Sequence, residues 1–267
     1  MGGGMVALTI WCRSAVVSVR TRVREVLRRN LRKLIEIALT DLDLMARLDG
    51  LMSSVSFERE NLKDAVSFKD RLQLHRWVAG LAAADGLFLE FGTYKGDSIN
   101  QFAELKPNVT WHAFDSFVGL PEAWTLGARA GAFSVGGKLP AVRSNVKLIK
   151  GFFDATLPAF VRDHAGVQAA LVHIDCDLYS STKTVLEALK GNLGPGSIIV
   201  FDELINYPGW QDGEYKAFME YVAAHGVTFE YLGYSRTGSQ VAVRLISTRE
   251  VSHSLVPDAA AETVTAR

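Results

Sequence analysis

The chain reads as a doubly wound α/β domain: a mostly parallel sheet with helices on both faces and an antiparallel hairpin at its C-terminal end. Three observations predict this. Short apolar runs alternate with segments of helical period, which calls for a parallel sheet with crossover helices. Several of those runs end in carboxylates or glycine turns, where ligands of such sheets bind. The last two apolar runs follow one another without an intervening helix.

The elements follow in order. Val16, Val19, Val23, Val26, Leu27, Leu31, Leu34 and Ile35 recur at steps of three and four, so residues 15–40 read as an amphipathic helix with arginines on its other face. Residues 41–66 are mixed, helical or irregular. A helix is expected over Asp70–Ala84. Leu87–Phe91 is a strand that runs into the turn Gly92–Gly96, and Ser98–Leu105 is a short helix. Val109–Phe114 is the next strand, followed by a Gly- and Pro-rich stretch, 117–145, with no clear period. Strands are expected at Val146–Lys150, Ala169–Ile174 and Ser197–Phe201, and helices at Leu157–His164, Ser181–Leu193 and Glu214–His225. Val227–Leu232 and Gln240–Ile246 form the closing hairpin, and the Ala- and Thr-rich tail from Ser252 frays. The division is 1–66 for a basic helical extension, 67–250 for the α/β domain and 251–267 for the tail.

Charge and cysteines bound the function. Lysine plus arginine and aspartate plus glutamate are both 29, so the chain is no globally basic nucleic-acid binder. The balance is uneven: residues 1–35 carry eight bases against Glu25, a net +7, and the rest carries −7. Cys12 and Cys176 are no disulfide framework, which points to a reducing cytosol. No apolar run approaches ~18 residues, and the start lacks the order of a signal peptide. Three readings of the basic arm stay open. It packs on a partner subunit of a homo-oligomer, the preferred one; it lies on an anionic membrane surface; or part of it precedes a true start at Met5.

The turn Glu90-Phe91-Gly92-Thr93-Tyr94-Lys95-Gly96 identifies the nucleotide class. A pyrophosphate-binding G-x-G-x-x-G laid from position 90 finds only Gly92. Glu90 would repel a pyrophosphate, but it suits a ligand carrying a sulfonium and an amino group. That ligand is S-adenosylmethionine. Asp115 ends the next strand, where a carboxylate accepts from both ribose hydroxyls.

Asp175, Asp177, Asp202 and Glu203 close two strands expected to be neighbours. Several carboxylates on one rim need a cation or shared protons. All-oxygen ligands suit Mg²⁺, Mn²⁺ or Ca²⁺ and not zinc. Such an ion polarises a hydroxyl, and a nearby carboxylate takes its proton. His173 faces the same way as Asp175 and is a candidate ligand or proton acceptor.

Four segments carry a resemblance: Phe88–Gly92 through Ser98; Phe114–Phe117 through Pro121; His173–Thr182; and Phe201–Glu203 through Trp210. Over roughly residues 68–246 they resemble the macrocin O-methyltransferase family, which methylates deoxysugar hydroxyls of glycosylated natural products. The resemblance implies a class I methyltransferase acting on a sugar hydroxyl of a natural product or glycolipid, with a small phenol or catechol as the alternative acceptor. It implies Mg²⁺ at Asp175, Asp202 and Glu203 and a general base at Asp177, with His173 as a second catalytic candidate. Where the family often has aspartate, this chain has Glu203, one methylene longer. The cofactor set is then Glu90, Gly92, Tyr94, Gly96, Ser98, Asp115, Ser116 and Asp175. Stretch 117–145 is the lid. Tyr207 and Trp210, with Trp124 and Phe133, are candidates to stack on a sugar ring.

Overall fold

The computed structural model describes residues 24–33, 35–37 and 39–248. Cys12, the first turns of the basic helix and the tail from Ser252 lie outside them. Residues 24–33, 35–37 and 39–40 are helical, and Val26, Leu27, Leu31 and Ile35 there are exposed.

Eight strands form one sheet in the order β1-β7-β8-β6-β5-β2-β3-β4. They are β1 (Val66–Phe68), β2 (Leu87–Phe91), β3 (Trp111–Asp115), β4 (Val146–Lys150), β5 (Ala169–Ile174), β6 (Ile198–Phe201), β7 (Thr228–Ser235) and β8 (Val241–Ser247). Only β8 runs antiparallel to its neighbours, β6 and β7. The helices are α1 (Leu42–Asn61), α2 (Arg71–Leu81), α3 (Asp97–Leu105), α4 (Phe153–Asp163), α5 (Tyr179–Ala188) and α6 (Glu214–His225). This is the class I methyltransferase architecture expected from the sequence.

Strand alternation sorts the core into two layers. Leu87, Leu89 and Phe91 of β2 join Val172 and Ile174 of β5 and Ile199 and Phe201 of β6. They pack under α1, α4, α5 and α6 through Phe57, Leu157, Val185 and Phe218. Phe88, Leu171, Ile198 and Val200 face the other way, against Leu74 and Val78 of α2 and Ile99 and Phe102 of α3. Glu90 and His173 continue this second set, and the two sit opposite each other in the β2–β5 register. The alternation therefore places two ionisable groups under α2 and α3.

β2 is also the switch point. From it the chain goes outward to β3 and β4, then returns to β5 on its other side. Such a reversal opens a crevice at the carboxyl ends of the strands.

The sequence reading places α1 and β1 in or beside the extension. In the structure β1 is hydrogen-bonded in parallel to β7. Helix α1 docks on the loop after β6: the Asn206 amide donates to Ser54 Oγ at 2.7 Å, and Trp210 Nε1 donates to Ser53 Oγ at 3.0 Å. Its Asp41 N-cap accepts from the amides of Asp43 and Leu44. Among the described residues no helix is long and apolar enough to cross a membrane.

Candidate active site

A cleft of about 580 Å³ opens over the ends of β2, β3, β5 and β6. Its floor begins at Gly92. The Gly92 φ is +93°, and an added Cβ would lie 1.7 Å from the Asp175 carbonyl oxygen, so the turn after β2 and the end of β5 touch backbone to backbone. Asp115 at the end of β3 ties this turn down. Its Oδ2 accepts from the amides of Thr93 (2.9 Å) and Tyr94 (2.7 Å), and its Oδ1 accepts from Phe117 (2.6 Å). Tyr94 and Phe117 both hold left-handed backbone there.

Of the residues expected to hold the cofactor, Gly92, Tyr94, Ser98, Asp115, Ser116 and Asp175 line the cleft. Two members of that set do not. Gly96 sits behind the turn, in left-handed conformation as the N-cap of α3. Glu90 is fully buried below the floor, where its Oε2 meets His173 Nδ1 at 3.0 Å. The reason is one of height: Glu90 is one position short of the strand end, so its carboxylate meets His173 and does not reach the cleft lining.

The four rim carboxylates converge at the other end of the same cleft. Asp175, Asp202 and Glu203 each offer an oxygen, and those atoms lie within 4.8 Å of one another. Glu203 Oε2 is buried without a partner. Burial, reinforced by the charge of Asp202, pushes Asp175 and Glu203 well above the usual carboxylate range. Burial and then the charges of Asp202 and Asp115 raise Asp177 to about 7. Asp177 has φ +64°, a left-handed bend that turns the chain from β5 into α5.

Asp202 goes the other way. Burial works to raise it, but the neighbouring His173 holds it below its ordinary value. His173 is itself kept up to about 10 against its burial by Asp202 and Glu90. The expectation that His173 is a ligand or proton acceptor at the rim is corrected here. Its ring is fully buried on the α2/α3 side and outside the cleft lining, so it positions Glu90 and Asp202 and touches no acceptor.

The stacking role expected of Tyr207 and Trp210 is corrected as well. Both belong to the buried core. Trp210 packs edge-on against Phe57 and Tyr215 and is held by Ser53, and Tyr207 lies against Trp124. Core packing outcompetes exposure for such large rings. Trp210→Ala is therefore expected to lose about 3–5 kcal/mol of stability in urea unfolding with no specific loss of acceptor affinity. Trp124 and Phe133 of the lid do line the cleft, Phe133 facing Tyr94 edge-on. The lid is tied back on itself by Leu120–Ala132 and Trp124–Ala128 backbone bonds.

Three contributions escaped the sequence reading. Arg71, the first residue of α2, lines the cleft with its guanidinium 3.8 Å from Asp202 Oδ2; nothing in the pattern separates it from a surface arginine. Gly151-Phe152-Phe153-Asp154 after β4 walls the cleft, and a glycine-aromatic turn following a strand was the signal available. Glu214, fully buried at the start of α6, accepts from the Glu203 amide at 3.1 Å and so braces the rim; its helix reads as ordinary.

Residues 89–204 match the family described as Methyltransferase domain. A comparison with curated protein sequences found no match. Among solved structures the chain is similar to CalS11, titled a calicheamicin methyltransferase. The identity is 28%, with 65% of this chain and 77% of that one covered and a TM-score of 0.52. An apo structure of CalS11, titled TDP-rhamnose 3'-O-methyltransferase, matches at 25% identity over 65% and 78%, with a TM-score of 0.48. The O-methyltransferase NovP matches at 21% over 66% and 79%, with a TM-score of 0.49. Of these, only the first likeness is close enough to carry weight. Fold, matched domain and the likeness to CalS11 together make this chain an S-adenosylmethionine-dependent O-methyltransferase.

Proposed function

We propose that the enzyme methylates a sugar hydroxyl, with Asp177 as general base and Mg²⁺ held by Asp175, Asp202 and Glu203. One observation carries this: the carboxylate cluster and the Gly92–Asp115 turn face the same cleft. The sugar rests on the resemblance to the macrocin O-methyltransferase family and on the likeness to CalS11.

The residues fit the ion. The donors are all oxygen, which matches Mg²⁺, and Glu203 Oε2 is buried with no partner of its own. Held by these three residues, Mg²⁺ would supply Lewis-acid activation of the acceptor hydroxyl. The chain does the rest. Asp115 holds the turn and presents its remaining lone pairs to the ribose. Asp177 receives the acceptor's proton as the oxygen takes the methyl group from the sulfonium of S-adenosylmethionine, whose sulfur leaves as the neutral thioether of S-adenosylhomocysteine. Glu214 fixes the backbone of Glu203. Trp124, Phe133 and the lid exclude water.

The test is methyl transfer from S-adenosylmethionine to deoxysugar nucleotides, deoxysugar glycosides and catechol, each with Mg²⁺ or with a chelator. Methylated sugar with Mg²⁺ and a fall of at least about 10²-fold without it is expected. Methylated catechol with untouched sugars would overturn the acceptor class.

A stability experiment follows from the same cluster. Asp175, Asp177, Glu203 and Glu214 have raised folded pKa values. The folded state then binds more protons than the unfolded one above about pH 4, so without metal stability falls as pH rises through this window. Mg²⁺ needs the ionised forms, so its stabilising effect grows with pH. At about a hundredfold excess over its Kd it adds about 2.7 kcal/mol, or roughly 5–10 °C in Tm. That shift is expected at pH 8 and not at pH 5; equal shifts at both would contradict the ligand set.

A further inference from the structure

Below the rim, on the α2/α3 side of the sheet, three side chains meet that the transfer reaction does not touch with its acceptor. They are His75 of α2, His173 of β5 and Asp202 after β6, and they are 0%, 0% and 5% exposed. Each histidine has one nitrogen engaged. His173 Nδ1 lies 3.0 Å from Glu90 Oε2, and His75 Nδ1 lies 3.4 Å from Gln101 Oε1. The other two nitrogens, His75 Nε2 and His173 Nε2, have no partner, and neither has Asp202 Oδ1. One ligand atom from each of the three residues falls within 4.8 Å of the others.

A buried polar atom left unpaired costs about 1–3 kcal/mol. Three at one point, two of them on histidines whose other nitrogen is engaged, call for a common partner. The gap from His173 Nε2 to Asp202 Oδ1 is 3.7 Å, too long for a hydrogen bond; without metal a proton on His173 faces Asp202 there, and a bound ion would displace it. The gap is close to the separation of neighbouring ligands around a tetrahedral zinc ion, which is roughly 3.4 Å for bonds of ~2.0–2.1 Å. A ring nitrogen turned to a carboxylate or carbonyl oxygen, with the other left for the ion, is how metal-bound histidines are oriented; the Glu90 carboxylate and the Gln101 amide oxygen supply this for His173 and His75.

We propose that His75 Nε2, His173 Nε2 and Asp202 Oδ1 form a second metal site, selective for a borderline-soft divalent ion such as Zn²⁺. Two imidazoles and one carboxylate suit zinc and not magnesium. The site is structural. His75 and His173 are absent from the cleft lining, so the ion clamps α2 to β5 and β6 beneath the acceptor. Asp202 belongs to both levels: its Oδ1 faces His173, and its Oδ2 lies toward Arg71 of the cleft. The buried ion thereby sets the orientation of a rim ligand, and the proposal does not depend on what the acceptor is.

The test uses the full chain, loaded with Zn²⁺ in millimolar Mg²⁺, desalted and measured by elemental analysis. About one zinc per chain is expected to remain. His75→Gln should abolish that retention, and Gln101→Ala should weaken Zn²⁺ affinity by about 10–100-fold. Co²⁺ in place of zinc should give the strong visible bands of a four- or five-coordinate ion, and circular dichroism separates loss of metal from loss of fold. No zinc retained by the unaltered chain would assign the three atoms to a buried water. Equal retention by folded His75→Gln, or a weak six-coordinate cobalt spectrum, would place the ion at the rim alone. Each result overturns the second site, and none bears on methyl transfer to the sugar.

Discussion

Asp177→Asn is expected to reduce methyl transfer by about 10²–10⁴-fold, the contribution of a positioned general base, with S-adenosylmethionine binding kept. The substitution suits the question because Asp177 sits at φ +64°, a region that asparagine also tolerates. The backbone at the end of β5 therefore survives while proton acceptance is lost. The base works only when ionised, and Asp177 is raised to about 7 by its burial, with Asp202 and Asp115 adding. In the unaltered enzyme kcat/KM should rise with pH as Asp177 ionises and then level off, the limb lying below about pH 7 because a cation bound beside it favours the ionised form. This limb should vanish in the variant. A variant with unaltered activity would remove Asp177 from the mechanism.

Gly92→Ala is expected to be the most damaging small substitution in the chain. A left-handed backbone alone costs a non-glycine residue about 1–3 kcal/mol. Here the new Cβ would also stand 1.7 Å from the Asp175 carbonyl, and neither strand end can retreat, since β2 and β5 pair along their length. A total above about 3 kcal/mol is expected in urea unfolding, together with loss of cofactor binding. Gly127→Ala is the control: φ is +81°, but nothing lies within 4 Å of its added Cβ, so only the conformational cost remains. Equal small losses for the two would mean that the turn does not press on β5.

Much of this was legible from the residues, for a physical reason. β2, β4 and β5 carry the bounds expected from their short apolar runs; β2 and β5 are buried along both faces, so their runs are apolar but for Glu90 and His173. The rim aspartates and the Gly92 turn follow from where those runs end. What escaped was of other kinds. β1 is three residues with no period to read, and it exists because β7 offers an edge. Helix α1 buries Gly50, Ser54 and Phe57, two of them small or polar, so its inner face does not look apolar. Helix α4 starts at Phe153 with Pro158 inside it, earlier than a proline suggests. Alternation gave the face of Glu90 and His173 but not their depth. Tyr207 and Trp210 stand close to the site in sequence, yet α1 covers them, and helix docking is invisible in a local pattern.

One nucleotide site, built by the Gly92 turn and Asp115, underlies the whole reaction. Calorimetric titration of S-adenosylmethionine into the purified chain, with and without Mg²⁺, tests it most directly. One molecule bound per chain, in the micromolar range typical of such ligands, is the predicted result. No heat of binding in either condition, from a chain shown to be folded, would contradict it.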